Sequence, residues 1–364
     1  MSYIVPIGPY HPALEEPVHA RLTTDGEEIT SAEIFIGYNH RGIEKLAQQK
    51  NFIQNLVMVE RVCGICSHSH ALSYALTVEA IAKMKVPKRG QYIRVITCEL
   101  ERLHSHYLWL GIALHIIGHD SLFMHTWNDR ELIMDMLEEI SGNRVNYGMV
   151  MIGGSRRDID DEKRKHLLEM LNRIEESMLR IKDFLLSDKT VALRTQNVGI
   201  LTTEDAIRIG ANGPQARASN VPVDARKDSP YCCYEDFEFE KAVWPSCDVF
   251  SRVVVRVLEN FESIKILRQA IENLPEGKVD GKINLGMKMP TVPAGEHMTR
   301  IEAPRGQLCY KVVTNGTDYG QRVSIHVPTF RNAPTVPVML KGNSVADAGL
   351  IIASIDPCFS CMDR

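Results

Sequence analysis

The longest regular signal in the chain is an apolar residue every three or four positions: Ile93, Ile96, Leu100, Leu103, Tyr107, Leu110, Leu114 and Ile117. That spacing predicts a long helix with one face turned into a core. Two further stripes repeat it: Leu167, Leu171, Ile174, Met178, Ile181 and Leu185, then Phe250, Val254, Val257, Phe261, Ile264, Leu267, Ile271 and Leu274. Three such helices predict a bundle packed at shallow angles. Residues 42–60 also read as helical, and another helix is predicted from about Ser67 to Lys83.

The two ends of the chain have a different period. Tyr3–Val5, Val18–Thr23 and Ile29–Ile36 read as strands, with Asp25-Gly26 as a hairpin turn. A second strand-rich stretch, Lys282–Val327, is punctuated by Gly281, Gly286, Gly295, Gly306, Gly316 and Gly320. Between the bundle stripes the pattern loosens from Thr190 to Tyr234, where Gly210–Pro214 and Asn220–Pro230 predict ordered surface loop. A short helix from about Val345 to Ser354 leads to the last residues. The expected class is mainly α with an α+β periphery: a central long-helix bundle, N-terminal strands and a C-terminal strand-rich region.

Composition narrows the function. The 364 residues are 44% hydrophobic with a net charge of −4, so there is core to bury and no basic footprint for nucleic acid. No apolar run approaches the ~20 residues of a membrane span, and no signal sequence opens the chain. The expected location is cytoplasmic, peripheral on the cytoplasmic face of a membrane through partners. Nine cysteines without a regular framework suit a reducing compartment. Cys98, Cys232, Cys233, Cys247 and Cys309 read as structural or incidental thiols.

The other four cysteines carry the chemistry. They form two Cys-x-x-Cys pairs at opposite ends, Arg61-Val62-Cys63-Gly64-Ile65-Cys66 and Asp356-Pro357-Cys358-Phe359-Ser360-Cys361-Met362-Asp363-Arg364. Together they offer four soft donors to one centre. A zinc ribbon places its second pair about 15–20 residues after its first; here the separation is nearly the whole chain, so any shared site is made by the global fold. The chain is accordingly expected to be one interlocked domain, 1–364, comprising a strand-rich segment 1–38, a helical core 42–274, and a strand-rich region with the metal-binding segment 282–364. Cys66 sits just ahead of a predicted helix, a position expected to favour its thiolate. His115 and His119 are four apart on one helix but have no acidic or cysteine partner in a short motif, so a packing role is preferred. No P-loop or Rossmann cradle is present.

With Arg-x-Cys-Gly-x-Cys-x-x-x-His at one end and Asp-Pro-Cys-x-x-Cys-x-x-Arg at the other, the chain closely resembles the large, catalytic subunit of nickel–iron hydrogenases. A terminal Arg in place of the more usual His, the short length, and the segment Gly8–Pro17 resemble the energy-converting, complex I-related branch. Glu302-Ala303-Pro304-Arg305-Gly306 matches a further family signature.

The resemblance implies a nickel–iron centre with carbonyl and cyanide on iron. Cys63 and Cys358 would be terminal on nickel, and Cys66 and Cys361 would bridge the two metals. It implies Cys358 as the base that takes a proton from hydrogen, and Glu16 as the next acceptor, with Glu15 its nearest competitor. His70 would lie beside a bridging cysteine, and Asp356 and Arg305 would border the cofactor, Arg305 pairing with carboxylates or carbonyls. Arg331 is the candidate for an arginine over the metals, and Asp120 for an aspartate approaching nickel. No second cysteine cluster is spaced for a [4Fe–4S] centre, which implies a small iron–sulfur partner subunit, further hydrophilic and integral membrane subunits, and ferredoxin as the indirect electron partner. A complex I-type quinone-site subunit, which lacks the metal cysteines, and a zinc-stapled non-catalytic protein are the alternatives.

Overall fold

The computed structural model describes residues 2–12, 14, 16–281 and 291–364. It is mainly helical, with small antiparallel sheets at the periphery. The predicted strand start at Lys282, with Gly286, lies outside the described residues, as does Glu15.

The first apolar stripe forms the axis of the molecule. Its helix, Lys88–Ile117, begins after Pro87 and ends at Gly118, whose φ of 105° suits a residue without a side chain. The helices Asp161–Ser187 and Val249–Glu272 carry the other two stripes, and the latter packs along the axis. A fourth long helix, Asp120–Ser141, also lies against the axis. Its buried face includes Thr126, Asp129 and Ser141, so apolar periodicity is broken there. Local bonds satisfy those groups: Thr126 Oγ1 donates to the Leu122 carbonyl at 2.6 Å, and Ser177 donates to Asp129.

The axial helix is buried on its polar face as well. Glu99, Arg102 and His106 join Asp224, Arg226, Arg217, Glu259 and Glu302 in one enclosed ionic network. Within it, Arg217 bridges Glu259 at 2.5 Å and Glu302 at 2.8 Å. This corrects the expectation for Asn220–Pro230, whose Asp224 and Arg226 lie in the interior because each finds an opposite charge there.

Among the described residues, two three-stranded sheets flank the helices, beside a small two-stranded one. At the N-terminus Ser2–Ile7, His19–Asp25 and Glu28–Phe35 form a meander with the hairpin turn at Gly26-Glu27. Residues 42–60 divide into Ile43–Ala47 and Phe52–Val59, the second started by a reciprocal Asn51–Gln54 cap. The C-terminal sheet consists of Gly295–Ala303, Gly306–Thr314 and Gly320–His326. Its inner side packs Ile301, Leu308, Tyr310 and Ile325 toward the helix Ser67–Ile81. The turn at Pro304-Arg305 lies backbone to backbone on Asn212-Gly213: a Cβ on Gly213 would stand 2.3 Å from Gly306 Cα. Glycines on both sides of that contact set the height at which Arg305 enters the interior.

Candidate metal centre

Both cysteine pairs sit where a helix begins. Cys63 follows the tight turn Glu60–Val62, and Cys66 immediately precedes Ser67–Ile81. Cys358 precedes the short helix Phe359–Asp363, and its Sγ accepts from the Cys361 amide at 3.4 Å. This spacing lets the sulfurs of a pair meet, and Cys358 and Cys361 lie 3.0 Å apart. The pairs then interlock, with 3.3 Å between the sulfurs of Cys63 and Cys358 and 3.4 Å between those of Cys66 and Cys361. All four are buried.

The C-terminal pair is held against the first by a segment that sequence reasoning passed over. Arg41 Nη2 donates to the carbonyls of Val62 and Ser360, both at 2.7 Å, joining the two motifs directly. The Asn39 amide donates to Asp363, His40 lies 2.8 Å from the Asp363 carbonyl, and Glu44 pairs with Arg364. Thr329 Oγ1 receives the Cys358 amide at 3.1 Å, and His104 Nε2 lies 3.1 Å from the Ile65 carbonyl inside the first pair.

Arg305 supplies the positive charge. Burial opposes its ionisation, but Asp356 at 2.7 Å and the sulfurs of Cys358, Cys63 and Cys66 outweigh that and hold its pKa well above the ordinary value. Among the sulfurs, hydrogen bonds from Cys358, Cys361 and Cys66 hold Cys63 well below the usual thiol range. Cys66 goes the other way: hydrogen bonding to Cys358 leads, Cys63 and burial add, and its pKa is well raised. The amides at the start of the helix behind Cys66 are not free to face its sulfur. Glu101 takes them, accepting from His68 at 2.6 Å and Ser69 at 3.0 Å.

Burial raises the Glu101 carboxyl to about 8 against those hydrogen bonds. The folded protein therefore keeps a proton there that the unfolded chain has already lost, and Glu101 lowers stability progressively as pH rises from the ordinary carboxylate range to about 8. Glu101→Gln retains an acceptor for the cap without the charge. Its stability advantage over the wild type is expected to grow between pH 5 and 8 in urea unfolding, and a constant difference over that range would contradict the reading.

His70 Nε2 lies 3.4 Å from Cys361 Sγ, and its Nδ1 lies 2.6 Å from the Tyr310 hydroxyl. Burial lowers the imidazole to about 4, so it is neutral near pH 7. A hydroxyl donating to Nδ1 leaves the ring proton on Nε2, aimed at the sulfur. Tyr310→Phe removes the donor that fixes this tautomer and leaves a buried nitrogen without its partner. Unfolding measurements are expected to show a loss of about 1–3 kcal/mol, and an unchanged denaturation midpoint would count against the dyad.

Comparison with known proteins agrees with the cluster. Residues 41–117 match the family described as nickel-dependent hydrogenase, and residues 117–286 and 281–364 match that described as respiratory-chain NADH dehydrogenase, 49 Kd subunit. The chain is 41% identical to the carbon monoxide-induced hydrogenase of Rhodospirillum rubrum, over 100% of this chain and 99% of that protein. It is 42% identical to membrane-bound hydrogenase subunit alpha of Pyrococcus furiosus, over 99% of this chain and 87% of the other. An NADH-quinone oxidoreductase subunit of Clostridium beijerinckii shares 37%, over 98% and 96%. The chain belongs to the complex I-related branch of the nickel–iron hydrogenase family.

The donor set suits the metals of such a hydrogenase: four soft sulfurs in a closed space, beside a buried cation that offsets their charge. Several residues that the resemblance implied are gathered there. Glu16 accepts from the amides of Phe359 and Ser360, the latter at 3.0 Å, and from the Ser360 hydroxyl, which places its carboxylate one residue beyond Cys358. Arg305 and Asp356 lie at the sulfurs as a pair. Arg331 is exposed on the helix Pro328–Asn332, beside Cys309, so the guanidinium facing the cluster is that of Arg305. Asp120 is exposed and pairs with His115 at 2.6 Å, while His119 pairs with Asp188 at 3.3 Å; neither histidine joins the sulfurs.

Proposed function

We propose that this chain is the catalytic subunit of a membrane-associated, energy-converting [NiFe] hydrogenase that interconverts hydrogen with protons and electrons. The observation that carries the reading is the meeting of four buried cysteine sulfurs from opposite ends of the sequence. Cys63 and Cys358 would hold nickel, and Cys66 and Cys361 would bridge nickel to an iron carrying carbonyl and cyanide. When bound, that centre supplies the electron sink and the Lewis acidity needed to polarise hydrogen.

The protein's own groups manage the proton. Cys358 Sγ takes it first, and Glu16, fixed by the amides of Phe359 and Ser360, receives it next. Arg305, neutralised by Asp356 on one side, limits the cost of concentrating sulfur charge on the other. His70 directs Nε2 at Cys361 and tunes that sulfur.

Electrons need a separate exit. Among the described residues the one group of potential metal ligands with all donor atoms within 4.8 Å of one another is Cys63, Cys66 and Cys361, which Cys358 joins through Cys63 and Cys361. A [4Fe–4S] cluster in a small partner subunit would relay them, with ferredoxin as the eventual donor or acceptor. No helix among the described residues is long and apolar enough to cross a membrane. Attachment to the cytoplasmic face through hydrophilic and integral membrane subunits accords with that.

Infrared spectroscopy of the purified complex tests the proposal most directly. Carbonyl and cyanide bands, with nickel and iron in equal amounts, are the expected result. Zinc alone in the cluster would make the chain a stapled structural protein, and quinone-linked activity without nickel would place it with the complex I subunits.

A further inference from the structure

The C-terminal sheet has a second face, turned away from the sulfurs. Strand register sets Arg300 opposite Cys309 and Cys309 opposite His326, one row across all three strands. Their neighbours Ile301, Leu308, Tyr310 and Ile325 point into the core, so the row faces outward. The helix Pro328–Asn332 returns over the end of the sheet and adds Arg331. Together they line a cleft of about 490 Å³ that also reaches the buried side chain of Asn212, whose Oδ1 has no hydrogen-bond partner.

The charge of this cleft is unbalanced. No carboxylate lines it among the described residues. Arg300 and Arg331 make no ion pair or hydrogen bond among those residues, whereas Arg21, Arg144, Arg208, Arg268 and Arg322, also on the surface, each meet a carboxylate. In a chain with a net charge of −4, two guanidiniums thus stand in one cleft without a carboxylate partner, with the His326 imidazole beside them. An apolar group stands among them: Met298, in the lining of the cleft, is 59% exposed.

We propose that this cleft receives an acidic, partly apolar peptide segment of a partner subunit. A guanidinium takes a carboxylate in a two-pronged bond, and two of them beside an open thiol and imidazole fit consecutive or alternate acidic side chains. A free small anion would leave Met298 in water and would fill little of a cleft of about 490 Å³. A peptide covers Met298 while its acidic side chains meet the guanidiniums. The inference rests on the chain being a subunit, not on the reaction proposed above.

The test uses the intact complex, purified through a tag on this chain. In the double variant Arg300→Glu, Arg331→Glu, one hydrophilic subunit is expected to be retained roughly tenfold less well at physiological salt, because charge reversal at a rim acts on association and salt dependence. Wild type should lose the same subunit as salt is raised. Nickel and iron content and dye-linked hydrogen turnover should not change, which separates failure of this proposal from failure of the hydrogenase reading. A photoreactive residue at Met298 should crosslink that same subunit at an acidic segment, and reversing those acids should restore retention in the double variant. Unchanged subunit stoichiometry and salt dependence overturn the proposal. So does a crosslink to no subunit, and so does binding of citrate in the cleft of the complete complex, which would show that the cleft stays open to small anions.

Discussion

Cys361→Ser is expected to reduce hydrogen turnover to background and to leave the protein without its full complement of nickel and iron. Serine keeps the shape of the side chain but offers a hard oxygen where the site presents soft sulfur. The loss falls on a sulfur that meets both pairs: Cys361 lies 3.0 Å from Cys358, 3.4 Å from Cys66 and 3.4 Å from His70 Nε2. The other three cysteines should behave alike, because each contributes to the same closed set. Cys247→Ser is the control, since its Sγ only meets the Pro245 carbonyl away from the cluster. Metal analysis and hydrogen evolution with a reduced dye read both variants. Normal turnover in Cys361→Ser would break the idea of a shared four-sulfur site.

The sequence was legible where one force acted alone. The three apolar stripes became buried helix faces because burial of a continuous stripe needs no other information. The N-terminal hairpin was likewise local, although its turn falls at Gly26-Glu27, one residue beyond the expected Asp25-Gly26. The helix Asp120–Ser141 escaped because Thr126, Asp129 and Ser141 interrupt its buried face, where Thr126 and Ser141 bond back along the helix and Asp129 is met by Ser177. Asp224 and Arg226 looked like loop residues because a charge is an interior residue only when its partners are present: they pair with each other, but the Glu99 that completes Arg226 is distant in sequence.

The centre itself divides the same way. Cysteine spacing pointed to four sulfurs, but nothing in it said that Glu101 would occupy the helix amides expected to stabilise a Cys66 thiolate. Two arginines in neighbouring motifs were similar as letters. Backbone contact at Gly213 and Gly306 sends Arg305 inward to Asp356, while the helix starting at Pro328 leaves Arg331 on the surface. Arg41, which ties the first cysteine motif to the last, had no signal beyond lying between two predicted elements.

Glu16→Gln is expected to separate proton transfer from metal binding. Glutamine keeps a carbonyl oxygen for the amides of Phe359 and Ser360, so the segment Phe359–Asp363 should stay in place and Cys358 with it. What disappears is a group able to take up and release a proton beside Cys358. General acid–base steps typically contribute about 10²–10⁴-fold, and turnover should fall by that range if Glu16 is the acceptor. Nickel and iron content and the infrared bands of the iron ligands should match the wild type, which distinguishes a broken proton route from a misassembled centre. Glu15→Gln is the paired measurement and should cost little. Loss of activity in Glu15→Gln with none in Glu16→Gln would shift the assignment by one residue, and full activity in both would send the proton by a route that does not use this segment.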